Sequence, residues 1–267
     1  MRPVLPAAYN MGSLSPRAGG ALGDDVMADG SAACVCVLFY GSDDYCFKLA
    51  QRVLNEPMRE LAARDVDFRF GLNAVGERTR QFVHRQAALF FKNAYIFDSP
   101  QNILKYPMMR QLFAAREIAA PFVVWFDDDS CFAPDTCTSN WLSRLTAQMR
   151  VCDLAGSFRR ARLVGGQAEW IKAQSWYAGK EPIPYVQFVS GSWWAASTEM
   201  LRRFDWPPAD MRQKGADVML GELCRQHDLP ISHFRDGVWI NANDAGVEAA
   251  ASRRQIEGAA VGADYLA

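Results

Sequence analysis

Three consecutive aspartates, Asp127, Asp128 and Asp129, directly follow an apolar run that reads Phe-Val-Val-Trp-Phe. Three like charges this close together need a positive counter-charge nearby. Carboxylate oxygens are hard ligands suited to Mg²⁺ or Mn²⁺, which complete their coordination with water and substrate phosphates. The string therefore indicates a metal and phosphate site. The alternative is a solvated turn in which Asp129 or Ser130 caps the next helix.

Four residues elsewhere in the chain could complete such a site. Asp217 stands near the start of a helical stretch, where a carboxylate could act as a general base or could simply stabilise the helix N-terminus. His233 closes a short predicted strand and could supply an imidazole ligand, although a buried core histidine is the plainer interpretation. Lys105 and Arg110 share a predicted helix and could neutralise a diphosphate, or could face solvent.

The elements that must position these residues alternate between strands and helices. The hydrophobic pattern predicts strands at 34–40, 67–72, 93–97, 121–126 and 231–234, with β-like sequence at 185–197. It predicts helices at 45–63, 79–90, 104–115, 140–151, 198–204 and 217–227. This alternation is typical of a largely parallel sheet, in which ligands bind at the carboxyl ends of strands. Gly41, Asn73 and Asp127 all lie at such ends.

Composition limits the class of protein. The chain has 267 residues, of which 50% are hydrophobic, so it can bury a sizeable core without disulfides. A formal net charge of -1 provides no global basic field for holding nucleic acid. The sequence predicts one α/β domain at 31–243, a tail at 1–30, and a second tail or short helix at 244–267.

Cysteine usage and hydropathy indicate a compartment. The seven cysteines are scattered and form no C-x-x-C pair, which is typical of free thiols in a reducing environment. No secretory signal pattern is present, and no stretch approaches the roughly 20 apolar residues of a membrane span. We therefore expect a cytoplasmic protein without a membrane span.

Taken together, these features resemble a nucleotide-sugar glycosyltransferase of the GT-A fold. Residues 127–129 resemble its D-x-D motif. Residues 102–110 resemble the N-x-G-K-x-x-A-x-R segment of family 2 enzymes, with Leu104 in place of the Gly and Met108 in place of the Ala. Five elements in the family's order, between about residues 34 and 241, carry the resemblance.

Three of those elements lie in the second half of the chain. Residues 215–220 resemble the family's G-E-D-x-x-L, with Ala216 replacing the Glu, so that Asp217 matches the catalytic base. Residues 189–194 are similar to the segment that lines the donor sugar and the acceptor. His233 matches a late histidine that serves as a third metal contact. Residues 73–76 stand where family 2 enzymes usually place an aspartate against the nucleotide base.

The resemblance implies an α/β GT-A fold, with a Rossmann-like, mostly parallel sheet flanked by helices and a smaller mixed region on the acceptor side. It implies an inverting hexosyltransferase that uses Mn²⁺ or Mg²⁺ and a nucleotide-sugar donor such as UDP-glucose or another UDP-sugar. Asp217 would be the catalytic base, and Asp127, Asp129 and His233 the metal ligands. Ten residues would contact the donor: Tyr40, Gly41, Asn73, Lys105, Arg110, Asp128, Gly191, Ser192, Trp193 and Trp194.

The acceptor is suggested only by a basic cluster at 157–162, followed by aromatic residues as far as 177. Such a segment suits a phosphate-bearing acceptor whose bases stack, or it is a surface loop that packs its aromatic residues on the domain. The sequence also looks like the glycosyltransferases of DNA hypermodification, the base J and phage enzymes. These act on hydroxymethylated pyrimidines in DNA, which would have to be flipped or held in an open groove. A surface glycan, a lipid carrier and a protein side chain are the competing acceptors.

Two other classes of protein remain open. Asp127 and Asp129 could be the nucleophile and acid of a haloacid-dehalogenase-like phosphatase. That family places its pair after the first strand and follows it with Thr or Val, whereas here three predicted strands come earlier and Cys131 holds the Thr position. A non-catalytic nucleotide-sugar-binding module is the other alternative.

Overall fold

Strands and helices alternate along the first half of the chain in the computed structural model, which describes residues 31–163, 166–212 and 215–240. The predicted tails at 1–30 and 244–267 lie outside the described residues. In chain order the elements are β1 (Ala33–Tyr40), α1 (Asp44–Val53), α2 (Glu56–Leu61), β2 (Val66–Asn73), α3 (Glu77–Phe90), β3 (Tyr95–Ser99), α4 (Lys105–Ala114), β4 (Phe122–Phe126), β5 (Cys131–Phe132), α5 (Thr138–Met149), β6 (Leu154–Arg162), α6 (Gln167–Ala173), β7 (Tyr185–Ser197), α7 (Thr198–Arg203), α8 (Ala216–Gln226), β8 (Ile231–His233) and β9 (Val238–Trp239).

Seven of the strands form one sheet in the order β3-β2-β1-β4-β7-β6-β8. The four strands from β3 to β4 are parallel to one another. β7 runs antiparallel to β4 and to β6, and β8 is parallel to β6. A separate two-stranded antiparallel sheet pairs β5 with β9. The predicted fold class is confirmed: the protein is α/β, with a mostly parallel half and a smaller mixed half.

The central strand β1 shows why the sheet forms. Its residues from Ala33 to Phe39 are all buried, because helices cover both faces of the sheet. Val35, Val37 and Phe39 belong to the core beneath α1, α2 and α3, while Cys34, Cys36 and Leu38 belong to the core beneath α4. A strand buried on both faces reads as a continuous apolar run, which is the pattern seen in the sequence.

The structure differs from the predicted elements in two ways. The single helix predicted at 45–63 is two helices, because Asn55 begins α2 as its N-cap and accepts a hydrogen bond from the Met58 N–H at 3.2 Å. The strands β5, β6 and β9 and the helix α6 were not predicted. β5 and β9 have two residues each, too few to show a period, and β6 ends in a polar segment with three arginines.

All seven cysteines are free thiols, as predicted. Six are buried and Cys137 is exposed. Burial raises the pKa of the Cys131 and Cys152 thiols to about 11, which keeps them protonated and unreactive near neutral pH. Within the described chain, no helix is both long and apolar enough to span a membrane.

Candidate active site at the carboxyl edge of the sheet

The carboxyl ends of the parallel strands gather the predicted site residues along one edge of the sheet. Tyr40 ends β1 and is paired with Asn73, the last residue of β2. Asp127 follows the last residue of β4. β7 is antiparallel to β4, and its Trp193 pairs with Phe126, the last residue of β4. Gly191 and Ser192 precede Trp193 in β7, so they lie beyond the end of β4, at the same edge of the sheet. We call this set of strand ends the carboxyl edge.

Asp127 is held by four hydrogen bonds. Its Oδ2 atom accepts from Lys105 Nζ at 2.8 Å, and its Oδ1 atom accepts from Trp125 Nε1 at 2.8 Å. Its backbone N–H donates to the Ser192 carbonyl at 2.8 Å, and its own carbonyl accepts from the Ser130 N–H at 3.0 Å. The carboxylate is 5% exposed. Both of its oxygens accept hydrogen bonds from the protein, so Asp127 is an anchor of the site. Its role as a metal ligand stays a prediction.

Asp128 and Asp129 supply the remaining carboxylates of the string. Both are buried at the carboxyl edge, at 5% and 7% exposure. Two carboxylates in a site of this kind match the donor set of Mg²⁺ or Mn²⁺, which needs only one or two protein oxygens besides water and phosphate. The chemistry of the residues present therefore fits a divalent ion.

Lys105 connects the two sides of the site. It begins α4, is 7% exposed, and donates from Nζ both to Asp127 Oδ2 and to the Gly191 carbonyl, the latter at 2.6 Å. A charge-assisted pair at these distances is short and strong. The predicted cation is therefore present at the site, but it is bonded to protein oxygens on β4 and β7.

Asp217 lies on the other side of Gly191. It sits in the first turn of α8, after Gly215, whose φ of 81° places it in the left-handed region that glycine tolerates. A Cβ atom added at Gly191 would lie 3.3–3.4 Å from Asp217 side-chain atoms, so the two residues are in close contact. Burial raises the pKa of the Asp217 carboxyl, while the charge of Lys105 and backbone N–H donors oppose the rise. A half-buried carboxylate with a raised pKa has the properties of a general base.

A hydrogen-bonded network joins Tyr40 and Asn73 through Asn102. Asn73 Nδ2 donates to Asn102 Oδ1 at 3.0 Å, and Asn102 Nδ2 donates to the Tyr40 hydroxyl at 3.2 Å. Asn73 Oδ1 also accepts from the Ile103 N–H at 2.9 Å. Gly41, with φ of 95°, turns the chain at the end of β1. The structure thus brings Tyr40, Gly41 and Asn73 together, and the Asn73 amide holds the loop that leads to Lys105.

Arg110 does not lie at the carboxyl edge, contrary to the prediction. Its guanidinium contacts the Asp205 carboxylate and the carbonyl oxygens of Asp205 and Pro207. These contacts border a cavity of about 400 Å³ between α4 and α7, away from Asp127. Arg110 therefore fixes the loop after α7 and is not part of the site.

Trp193 and Trp194 are core residues, so the prediction that they line the donor site is wrong. Trp193 is 0% exposed and packs against Phe126, Trp141 and Phe234. Trp194 is 3% exposed and stacks on Trp125 with ring centroids 6.1 Å apart. Trp194 acts on the site only through Trp125, whose indole N–H holds Asp127.

We expect Trp193→Ala to lower the free energy of unfolding by about 3–5 kcal/mol, because it empties a fully enclosed indole from the core. Equilibrium urea unfolding would measure the change. Trp239→Ala, at a half-buried indole on β9, serves as the matched control and should cost clearly less. Equal losses for the two variants would contradict the assignment of Trp193 to the core.

His233 lies at the carboxyl end of β8, with β7 and β6 between it and β4. Three strand spacings amount to about 14 Å across the sheet. The His233 side chain is exposed, and its Nδ1 accepts a hydrogen bond from the Phe158 N–H at 3.2 Å. Among the residues that the structure describes, no group of three or more His, Cys, Asp or Glu side chains is placed to hold a metal ion. The predicted set of Asp127, Asp129 and His233 is therefore not assembled.

Two residues of the site were not predicted. Trp125 holds Asp127, and a signal for it was present, because residues two apart on a strand share a face. Asn102 links Tyr40 to Asn73, and it belongs to the segment that resembles the N-x-G-K motif. Neither residue is ionisable, so the charge pattern of the sequence gives no signal for either of them.

Known proteins resemble this chain in fold. The chain matches GalNAc-T7 bound to UDP, GalNAc and Mn²⁺ with a TM-score of 0.50 and 11% identity, over 75% of this chain and 41% of that one. It matches S. aureus TarS 1–349 with a TM-score of 0.49 and 16% identity, over 80% and 61%. A nucleoside-diphosphate-sugar pyrophosphorylase from Vibrio cholerae RC9 matches with a TM-score of 0.45 and 12% identity, over 80% and 98%. No family model matches the chain, and no curated protein matches its sequence.

At these identities the likeness shows the fold. The protein has a GT-A-like α/β fold, the fold of nucleotide-sugar transferase-like proteins. The chain spans less than two thirds of the length of the TarS fragment and of GalNAc-T7. Nothing in these matches favours the predicted likeness to the enzymes of DNA hypermodification.

Proposed function

We propose that this protein is a glycosyltransferase that moves a sugar from a nucleotide-sugar donor to an acceptor hydroxyl. The observation that carries the proposal is the contact chain Asp127–Lys105–Gly191–Asp217, which connects the acidic end of β4 with a half-buried carboxylate in the first turn of α8. A donor site and a proton acceptor must lie side by side in a transferase of this kind.

The donor diphosphate belongs at the end of β4 in this proposal. Asp129, with Asp128 beside it, would hold a Mn²⁺ or Mg²⁺ ion, which neutralises charge on the leaving diphosphate when bound. Asp127 holds Lys105 against the site, so that Lys105 adds a fixed positive charge near the leaving group. A UDP-sugar is the donor we propose, because GalNAc-T7, which shares the fold, was solved with UDP and Mn²⁺.

Asp217 is the proposed catalytic base. Its carboxylate takes the proton of the acceptor hydroxyl as the acceptor oxygen bonds to the anomeric carbon of the sugar. The bond from that carbon to the phosphate oxygen breaks, and the nucleoside diphosphate leaves with the electron pair. Attack on the face opposite the leaving group inverts the anomeric configuration, which is the outcome we propose.

The aromatic segment before β7 does not favour a stacked base as the acceptor. Trp176 is buried, and Trp170 and Tyr177 pack against the same core, so they offer no open platform for bases. Hydroxymethylated DNA is therefore not included in the proposal. The phosphatase alternative is not favoured, because β1, β2 and β3 precede the strand that leads to Asp127, whereas that family places its pair after the first strand.

A donor-binding screen tests the proposal. UDP-, GDP- and CMP-sugars would be titrated against the wild-type chain with Mn²⁺, with Mg²⁺ and with EDTA, by calorimetry. We expect one class of donor to bind only with metal, and Asp129→Ala to weaken that binding by at least about tenfold, since it removes a ligand to the diphosphate-bound ion. Asp135→Ala, which removes an exposed carboxylate shortly after β5, is the matched control and should bind as the wild type does.

Two results would count against the proposal. A folded wild-type chain that binds no nucleotide-sugar with either metal would rule out the donor site. Metal-dependent binding without any release of nucleoside diphosphate, with water or with an acceptor, would favour the non-catalytic module instead.

A further inference from the structure

β6 and β7 continue together beyond the end of β4 as a two-stranded ribbon, which we define as residues 158–162 and 185–189. Phe126, the last residue of β4, pairs with Trp193 of β7. Tyr185, the first residue of β7, precedes Trp193 by eight residues, and because β7 is antiparallel to β4 it lies beyond the end of β4. At the rise of a strand, the ribbon extends about 26 Å past the end of β4. It therefore projects on the same side of the molecule as the carboxyl edge.

Three arginines stand on this ribbon within four residues: Arg159, Arg160 and Arg162, all exposed. None of them forms an ion pair with any other residue in the described part of the chain. Three other basic residues in the second half of the chain behave differently, because each is paired with a carboxylate: Arg144 with Asp236, Lys172 with Glu181, and Lys180 with Asp228. The ribbon thus carries a positive charge that the neighbouring described residues do not balance.

The outer edge of the ribbon is open to another strand. β8 pairs with β6 only at residues 154–156, and no described strand lies beside 158–162 on that side. The Phe158 N–H points outward, since it donates to His233 Nδ1. Because the direction of the N–H group alternates along a strand, Arg160 and Arg162 present their N–H and C=O groups to the same outer side. Such groups are a template for pairing with another chain.

Exposed apolar side chains lie next to these arginines. Tyr185 is 48% exposed and Ile183 is 40% exposed. The Arg160 guanidinium lies 4.9 Å from the centre of the Tyr185 ring, an arrangement that orders both side chains. Arginine and tyrosine together are the side chains most enriched where proteins bind one another.

We propose that the ribbon docks an extended, acidic segment of a polypeptide partner, which adds to β6 as a further strand. The open N–H and C=O groups of Arg160 and Arg162 would pair with the partner's backbone. Acidic side chains of the partner would lie against the three arginines. Docking there brings the partner to the side of the sheet that carries Asp127 and Asp217, although the binding itself does not depend on sugar transfer.

A polypeptide fits this surface better than a nucleic acid does. The outward carbonyl groups need hydrogen-bond donors, which a peptide backbone supplies and which phosphate oxygens do not. Two nearby aromatic side chains of the described part of the chain give little stacking surface for bases, because Trp176 is buried and Arg160 covers one face of Tyr185.

The test is fluorescence anisotropy with the whole chain and three labelled probes: a peptide that alternates glutamate with threonine, the same peptide with lysine for glutamate, and an oligo-dT strand. We expect the acidic peptide to bind and the lysine peptide not to bind. The double variant Arg160→Glu/Arg162→Glu should weaken acidic-peptide binding by about tenfold or more. Arg85→Glu/Arg150→Glu makes the same change of charge at two exposed positions, one on α3 and one directly after α5, and should leave binding unchanged.

A second pair of variants separates the strand edge from the charge. Arg160→Ala removes the side-chain charge alone, while Arg160→Pro also removes the outward N–H, a change that an edge strand tolerates. We expect the proline variant to bind the acidic peptide more weakly than the alanine variant. Circular dichroism of both variants checks that they remain folded.

Three results would overturn the proposal. Preferential binding of oligo-dT would identify the ribbon as a nucleic-acid surface. Equal binding of the acidic peptide by the alanine and proline variants would show that the peptide does not pair with β6 as an added strand. If no probe bound, the ribbon would not be a docking surface, and the arginines would be explained as charges that keep the sheet edge from aggregating. Because no donor is present in these experiments, their failure would leave the glycosyltransferase proposal intact, and the donor screen remains its separate test.

Discussion

Asp217→Asn is expected to lower the rate of sugar transfer by about 10²–10⁴-fold, the range by which a positioned general base accelerates a reaction. Asparagine keeps the shape of the side chain and its contact with Gly191, but its amide cannot accept the proton of the acceptor. Release of nucleoside diphosphate from the donor identified by the binding screen would report the rate.

The control for this variant is Asp228→Asn, which changes an exposed carboxylate beyond the other end of α8. It should transfer sugar at the wild-type rate. Affinity for the donor should be the same in both variants, since Asp217 is assigned to the acceptor side. An Asp217→Asn protein that retained most of the wild-type rate would show that another group, or none, acts as the base.

The pH dependence of the transfer rate is a second test of Asp217 as the catalytic base. Burial raises the pKa of the Asp217 carboxyl above the ordinary value of 3.8. A base works only when it is deprotonated, so the rate should fall as the pH drops through this raised pKa. We expect the acid limb of the profile to lie above the range of an ordinary aspartate and to be absent from the residual rate of Asp217→Asn.

The sequence predicts the fold well because most of its strands are buried on both faces. β1 and β4 are continuous apolar runs, and each ends in residues that turn toward the site, Gly41 and Asp127. The alternation of these strands with helices determines the parallel half of the sheet. In the mixed half the hydrophobic pattern does not predict β6. This strand pairs with β7, but its last residues include three arginines, so they show no run or alternation of apolar residues.

The site was predicted in its charges but not in its contacts. Asp129, Lys105 and Asp217 were predicted from an aspartate string after an apolar strand, from a predicted helix and from the start of a helical stretch. Trp193 and Trp194 were misplaced, because adjacent residues on a buried strand point to opposite faces and helices cover both of those faces here. The sequence does not show that both carboxylate oxygens of Asp127 accept hydrogen bonds, because the donors Lys105 and Trp125 are brought to it only by the fold.

Lys105→Met is expected to lower the free energy of unfolding by about 3–5 kcal/mol, because it leaves the Asp127 carboxylate buried without its cation. The side chains of the pair are only 8% and 7% exposed, so water cannot replace the lost partner. The acid limb of the transfer profile should also move to higher pH, since the positive charge of Lys105 lowers the pKa of Asp217 in the wild type. Urea unfolding measures the first effect, and nucleoside diphosphate release at graded pH measures the second.

A double-mutant cycle shows whether the effect belongs to the pair. Lys105→Met/Asp127→Asn replaces both charges by neutral groups of similar shape, and an asparagine Oδ1 can still accept from Trp125 Nε1, so the double variant should recover much of the lost stability. Lys48→Met, at an exposed position on α1, should change stability by less than about 0.5 kcal/mol. Wild-type stability in Lys105→Met, or equal losses in the single and double variants, would mean that the ion pair does not hold the site together. Recovery of stability without recovery of transfer would place the Lys105–Asp127 pair in the reaction itself, because the charges of the pair would be missing while the fold is restored.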